Sequence, residues 1–421
     1  MAGNGSLGIN SGVSRPGGGP LSRFPWVATF IIYSPGALQP YGHAFDYVGG
    51  LGSGLCDQGY QVHVVTHDGP LVLSGVMVHT ATSAAWDRLL AVLPSRLRRH
   101  AFRLLAEPRL LSTLSRVRAE HPDAPVLFET FEYLSLARYL RRPHGGLTGG
   151  IFHSTTFRSE REGVLRTAYK RVSARAARRI ARSLAVVYVH GPHLRRRLLD
   201  ELSLPETSPV RVLAHGAPDP AEVVLPTREK AREVLGLPAG NILLSLGTLR
   251  RDKDLSTLVR AVAASPDWVL VHAGPEGDAS YRELEQLGEA NGLGARLVIH
   301  KRFIPAVEHP LYFGAADLVS AFYDPAMTHE SGTAKRARAF SRPLLAAGPP
   351  DLLDYVTEWG VGYTVPPHDV DAAAEALRRH AGLSPEDAAA LEQRIHRAGQ
   401  ELSWRSVAAT IAADLSPHHT T

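Results

Sequence analysis

The sequence predicts an α/β chain of two doubly wound parallel-sheet domains, Rossmann-like in pattern, that face each other across a cleft. Short apolar runs alternate with helical segments from Trp26 onward, which is the pattern of strands buried on both faces by crossover helices. The alternation breaks at APDPAEVVLP, residues 217–226, where three prolines interrupt it, and then resumes over a stretch of similar size. At 421 residues the chain also exceeds what one ordinary core fills.

In the first half the apolar runs are WVATFIIYS, QVHVVTH, PVLFE, GGIFH, LAVVYVH and VRVLAHG. A Gly-rich turn and a helix to Gly59 follow the first run, and a long Leu/Arg helical region follows the second. The second half gives NILLSLG, a helix from Leu255 to Ala264, DWVLVHAG, a helix around Tyr281 to Ala290, and ARLVIH. A helix near Leu311 to Ala316, DLVSAF, a helix within ESGTAKRARAF, RPLLAAG and VGYTV complete it. The expected division is a disordered leader (1–22), a first domain (23–216), a linker (217–228), a second domain (229–400) and a C-terminal helix and tail (401–421).

Composition narrows the function. Lys+Arg of 46 against Asp+Glu of 41 leaves a net charge of +5, which suits anionic ligands or an anionic surface and does not call for nucleic acid. A single cysteine, Cys56, excludes an internal disulfide and reads most simply as a reducing cytoplasm. No apolar run reaches the length of a membrane-spanning helix, and the Gly/Ser/Pro-rich leader lacks the pattern of a signal peptide.

The stretch ESGTAKRARAFSRP, Glu330 to Pro343, concentrates the candidate chemistry. Ser331, Gly332 and Thr333 open a helix, with a hydroxyl for the unpaired first-turn amides and a glycine that lets an anion approach the backbone. Lys335 and Arg336 put cations where the helix dipole opposes them unless an anion such as phosphate is present. An ordinary capped helix with a solvated basic face is the open alternative. In LLSLGTLRRDKDLSTLVRAV, Gly247 ends a strand, and Arg250 and Lys253 stand three apart at the start of the next helix, spaced to clamp a diphosphate. Asp252 and Asp254 beside them leave a solvated basic turn equally open.

After the first strand come Tyr41-Gly42-His43 and then Gly49-Gly50, which read as a loop ahead of a helix; Gly52 and Gly54 fit tight packing at least as well as ligand binding. No GxGxxG stands in this turn, and neither a Walker A sequence nor an HExxH motif occurs. No histidine pair has metal-ligand spacing, so no metal is expected. Among twenty histidines, His153 and His215 sit just past predicted strands, where cleft residues come from, and His43 belongs to the Gly loop. Arg161 to Arg182 is basic, with apolar residues at Val164, Leu165, Ala168, Val172, Ala176 and Ile180; an anionic membrane surface and a solvated face are both open readings.

Taken together, the chain from Trp26 to about Trp404 resembles a retaining GT-B glycosyltransferase of the group called family 4. LGTLRRDKDLSTLVRA resembles the opening of that family's second domain, and FIPAVEHPLYFGAADLVSAFYDPAMTHESGTAKRARAFSRPLLAAG its donor-site segment, closest to the branch that includes bacterial exopolysaccharide mannosyltransferases. The resemblance implies that Arg250 and Lys253 hold a donor diphosphate, that Ser331, Gly332, Thr333, Glu330 and Lys335 line its site, and that Gly42 approaches from the first domain. It places His153 at the transferred sugar. Many members carry two glutamates separated by seven residues where this chain has Thr328 and Arg336, so the ribose-binding glutamate is missing.

The implied activity is metal-independent transfer of a sugar from a nucleoside diphosphate donor to an acceptor hydroxyl with retention. Exopolysaccharide, glycolipid and glycosylated natural-product biosynthesis all fit, with a lipid-linked or a small-molecule acceptor. The resemblance also fits a cytoplasmic protein peripheral to the inner face of the membrane. A nucleotide-sugar epimerase of the same fold and a non-catalytic nucleotide-sugar or glycan-binding module are the alternatives.

Overall fold

The computed structural model describes residues 28–36, 43–67, 75–81, 107–142, 145–155, 157, 164–327 and 331–416. The leader, Tyr41, Gly42, Thr328 and Glu330 lie outside the described residues, and of His43 only the backbone is described.

Two parallel sheets form from the two predicted alternations. The first contains β1 (Ala28–Tyr33), β2 (Tyr60–Thr66), β3 (Val76–Thr80), β4 (Val126–Phe128), β5 (Thr148–Ile151), β6 (Val186–Val189) and β7 (Val210–Val212), in the order β3-β2-β1-β4-β5-β6-β7. The second contains β8 (Asn241–Leu246), β9 (Trp268–Ala273), β10 (Leu297–His300), β11 (Leu318–Phe322), β12 (Leu344–Ala347) and β13 (Gly362–Thr364), in the order β10-β9-β8-β11-β12-β13. Strand period fixes the layers: in FIIY of β1, Ile31 and Tyr33 enter the core on one face and Phe30 and Ile32 the core on the other. The second sheet is covered on both faces in the same way, with Leu244 and Leu243 of β8 on opposite sides. Each order reverses beside a central strand, at β1/β4 and at β8/β11, and such switch points open a crevice at the carboxyl edge.

Four features differ from the sequence reading. Strand β3, VMVHT, is not anticipated: it is an edge strand whose residues are half-buried or exposed, so it lacks the continuous apolar run of a central strand. Its helical neighbour is described from Glu107 to Glu120.

Gly49-Gly50 are not in a loop, because the helix already starts at His43 and runs to Cys56. Gly50 makes room for a distant residue. A Cβ on Gly50 would lie 2.2 Å from Trp404 Nε1, one on Gly54 2.7 Å from the Trp404 carbonyl oxygen, and one on Gly216 2.1 Å from the Trp404 ring. The helix Trp404–Leu415 thus packs on the first sheet, with Trp404, Val407, Ile411 and Leu415 in the same core as Phe30 and Tyr47. Ala217 and Ser403 pair where the chain crosses between the sheets, and Trp404 N donates to Ala217 O at 3.0 Å.

Arg250 and Lys253 precede their helix, which begins at Leu255 with Asp254 as N-cap; they sit on a turn closed by Lys253 N donating to Arg250 O at 3.1 Å. The basic helix, Val164–Ser183, buries Ser173, Ala177, Ile180 and Ala181 and leaves Val172 45% and Tyr169 49% exposed. Of the expected apolar stripe, Ile180 is buried while Ala168 and Val172 face outward beside Arg171, Arg175 and Arg179, because the tighter inner face takes alanines and a serine.

Candidate functional site

The carboxyl edge of the second sheet is a loop that turns sharply and a helix that points at it. Gly247 follows β8 with φ of 100°, a conformation that favours glycine. A Cβ on Gly274, at the end of β9, would come 2.2 Å from the Gly247 carbonyl oxygen, so the two loops meet backbone to backbone. From the turn that follows, Arg250 Nε donates to Asp252 Oδ1 at 2.9 Å, and Lys253 Nζ donates to Leu246 O at 2.9 Å. Burial, reinforced by the charges of Arg250 and Arg336 and opposed by Asp252, pushes the Lys253 ammonium down to about 8.

The helix Gly332–Ala339 begins beside this lysine. Ser331 is its N-cap: Oγ accepts from Ala334 N at 3.1 Å and lies 2.7 Å from the Tyr323 hydroxyl. Thr333 Oγ1 donates to the same Leu246 carbonyl oxygen, at 3.2 Å, so its hydroxyl is engaged within the protein. Gly332 needs no left-handed backbone, and what a Cβ there would meet is Arg336 Nη1 at 3.3 Å.

The neighbouring cations divide. Arg336 folds back over Gly332, influences Lys253 and faces Asp46 Oδ2 of the first domain at 3.6 Å. Lys335, expected at the donor phosphates, turns the other way, and its Nζ lies 2.7 Å from His215 Nε2. It lines a cavity of about 360 Å³ between the domains, with His190, His215, Ser331, Tyr355 and Trp359.

On the first sheet, consecutive strands end in polar groups that meet. Glu129, after β4, is fully buried; Oε2 accepts from the Ser34 and Thr130 hydroxyls at 2.8 and 2.9 Å. His153, after β5, places Nε2 3.0 Å from Glu129 Oε1 and from the Glu129 carbonyl oxygen, and Nδ1 3.0 Å from His190 Nε2. His190 Nδ1 is 3.0 Å from the Leu213 carbonyl oxygen, and its ring centre is 5.0 Å from that of His215. Tyr47 packs edge-on against His153 and His215, at 5.3 and 4.8 Å between ring centres.

Across the cleft, Asp351 caps a first-domain helix. The helix Pro192–Leu202 has Gly191 as N-cap with no side-chain bond of its own, and Asp351 accepts from His193 N at 2.9 Å and Leu194 N at 3.1 Å. His193 Nε2 also meets Asp354 Oδ2 at 2.9 Å.

Arg250, Lys253, Gly247, Ser331, Gly332 and Thr333 therefore converge at one edge, and His153, His215 and Lys335 meet along the cleft. Glu129, His190 and Asp351 were not among the candidates, and Arg336 was named beside Lys335 without being assigned to the donor site. Glu129 and His190 each end an apolar run, PVLFE and LAVVYVH, the same signal that singled out His153. Arg336 differs from Lys335 by one helical step, which only the packed structure resolves. Among the described residues no group of three or more His, Cys, Asp or Glu side chains is placed to hold a metal ion, and no helix is long and apolar enough to cross a membrane.

No protein-family model matches the chain. It is 32% identical over 219 residues to D-inositol 3-phosphate glycosyltransferase of Saccharomonospora viridis, covering 46% of this chain and 49% of that protein. The corresponding protein of Mycolicibacterium paratuberculosis is 33% identical over 204 residues. The chain spans about half the length of the curated relatives it matches. Among solved structures, sucrose-phosphate synthase from Thermosynechococcus elongatus superimposes with a TM-score of 0.66 at 20% identity, covering 92% of this chain and 98% of that one. WaaG, a glycosyltransferase involved in lipopolysaccharide biosynthesis, gives 0.61 at 16% identity, covering 93% and 100%. Two parallel sheets opposed across a cleft, fold neighbours over nearly the full length and partial sequence likeness agree with the resemblance read from the motifs: the chain has the GT-B fold of these glycosyltransferases.

Proposed function

We propose that the chain transfers a sugar from a nucleoside diphosphate donor to an acceptor hydroxyl with retention of configuration at the anomeric carbon. The observation that carries this reading is the convergence of Arg250, Lys253 and Arg336 on the amino end of the Gly332 helix. A diphosphate leaving from the anomeric carbon gains negative charge as its bond breaks, and fixed cations and first-turn amides stabilise that charge without reorganising. Lys253 and Arg250 take the diphosphate, Gly332 admits it to the backbone, and Arg336 stands where many relatives have a ribose-binding glutamate. The donor thus binds the second sheet and the acceptor enters from the first, past His153 and toward the interdomain cavity.

Support for a nucleotide-sugar donor also comes from fold neighbours bound to UDP and glucose, a protein of Anabaena, and to UDP-2-fluoro glucose, from E. coli. The outward face of the Val164–Ser183 helix, with Tyr169 and Val172 among arginines, suits an anionic membrane surface and hence a lipid-linked acceptor in exopolysaccharide or glycolipid synthesis. Incubation with a panel of nucleotide sugars tests the reading. One donor of the panel is expected to release nucleoside diphosphate; binding without release across the panel would leave the non-catalytic module instead.

A further inference from the structure

The polar row on the first sheet has a proton count that its geometry determines. His190 Nδ1 faces the Leu213 carbonyl oxygen, which only accepts, so this nitrogen carries hydrogen. His153 Nε2 faces the Glu129 carbonyl oxygen and carboxylate, which also accept, so it carries hydrogen too. The remaining pair, His153 Nδ1 and His190 Nε2, lie 3.0 Å apart and need one hydrogen between them. Two imidazoles therefore hold three ring hydrogens, which is one positive charge whichever ring bears it. The Glu129 carboxylate, buried and itself receiving the Ser34 and Thr130 hydroxyls, is the matching negative charge.

We infer that Glu129, His153 and His190 work as one charge-balanced unit, with Glu129 and His190 as positioning residues that keep His153 oriented and its imidazole pair protonated during sugar transfer. The inference rests on the proposed transferase reading for its role and on hydrogen-bond polarity for its charge. With both ring nitrogens of His153 engaged by the protein, the ring contributes a fixed position and a positive field to the cleft. Among the described residues, the other titratable or charged groups near the row are the Tyr47 phenol, His215 and, across the domain boundary, Lys335 on the His215 ring and Arg338, whose Nη2 donates to the His215 carbonyl oxygen. His215 does not compete for the shared hydrogen. Its ring nitrogens face other partners: Nδ1 lies 3.1 Å from the Gly216 carbonyl oxygen and 3.2 Å from Lys335 Nζ, and Nε2 lies 2.7 Å from the same Nζ.

The test has two independent arms. Nitrogen-15 NMR of histidine-labelled wild-type protein at neutral pH reads the charge without any substrate. Three ring hydrogens over His153 and His190 are expected, assigned through His190→Phe, and two would overturn the inference. The second arm is the pH profile of donor turnover in wild type, Glu129→Gln and Glu129→Asp. Removing the carboxylate releases the shared proton at lower pH, so in Glu129→Gln the alkaline limb of kcat is expected to move down by about one pH unit or more, with kcat falling about tenfold or more. The donor KM and nucleoside diphosphate binding by calorimetry should change less than about twofold, and Glu129→Asp should recover part of the profile. A uniform loss with an unmoved limb would reduce Glu129 to a structural role. Should the wild-type protein turn over no donor, the transferase reading fails by itself and the NMR arm still decides the charge. It also decides if Glu129→Gln does not fold.

Discussion

The carboxyl edges of the two sheets are built from the same topology and balance charge in opposite ways. On the first, Glu129, His153 and His190 bond one another and leave the row neutral overall. On the second, Arg250, Lys253 and Arg336 stand together, and the carboxylates described beside them are Asp252 on Arg250 and Asp46, which reaches Arg336 from the other domain. Burial, with that surplus added to it, pushes Lys253 down to about 8. A positively charged edge supports the proposed anion site there, whereas the first edge holds its geometry by contacts among its own residues.

The strongest way to break this contrast is to fill the space over the charged edge. Gly332→Val places a branched side chain against Arg336 without demanding a strained backbone, so the fold should persist while nucleoside diphosphate binding falls below detection by calorimetry. Wild-type affinity in that variant would put the phosphates elsewhere. Next in size, Arg250→Ala and Lys253→Ala should each weaken donor diphosphate binding and slow turnover by about 2–4 kcal/mol, since both charges act in a partly desolvated site. Unchanged kinetics in both would return the turn to solvated surface. The equivalent change on the satisfied edge, Glu129→Gln, should leave nucleoside diphosphate affinity nearly intact.

A pH measurement sharpens the same contrast. The Lys253 ammonium loses its proton near 8 in the unliganded protein, and a diphosphate beside it favours the charged form. Binding at pH 8 should therefore take up about half a proton, and affinity should decline as pH rises further. Calorimetry in two buffers of different ionisation enthalpy reads the uptake directly. Lys253→Ala should abolish it, and equal heats in both buffers for wild type would separate Lys253 from the phosphates.

Local patterns were enough to reveal the two sheets, the Ser331 cap, the bend at Gly247 and the basic turn, because strand burial, capping and strand-ending glycines are short-range signals. What escaped depends on distance in sequence. Gly49-Gly50 read as loop residues because nothing near them announces the packing of Trp404 on Gly50, and β3 escaped because an edge strand needs no continuous apolar run. Lys335 was preferred to Arg336 since adjacent helical residues point in different directions and only the opposing Asp46 and His215 show which is which. Glu129 and His190 satisfied the same strand-end criterion as His153. Their importance lies in meeting each other, which composition and spacing do not encode.

The smallest expected effect concerns Asp351, which joins the two halves. Its carboxylate supplies the cap that Gly191 lacks, bonding the His193 and Leu194 amides from the opposite domain. A Cβ on Gly191 would lie 2.3 Å from Asp351 Cγ, so this glycine keeps room for the partner, and its extended backbone suits any residue. Asp351→Ala should cost about 1 kcal/mol of stability, the usual worth of an N-cap, and let the domains open. Gly191→Ser in the Asp351→Ala background should restore the cap from within the first domain. Thermal unfolding would then recover while small-angle scattering still shows the wider particle, because the serine cannot replace the bridge. If Asp351→Ala alone changes neither unfolding nor scattering, Asp351 contributes nothing measurable to either the cap or the bridge.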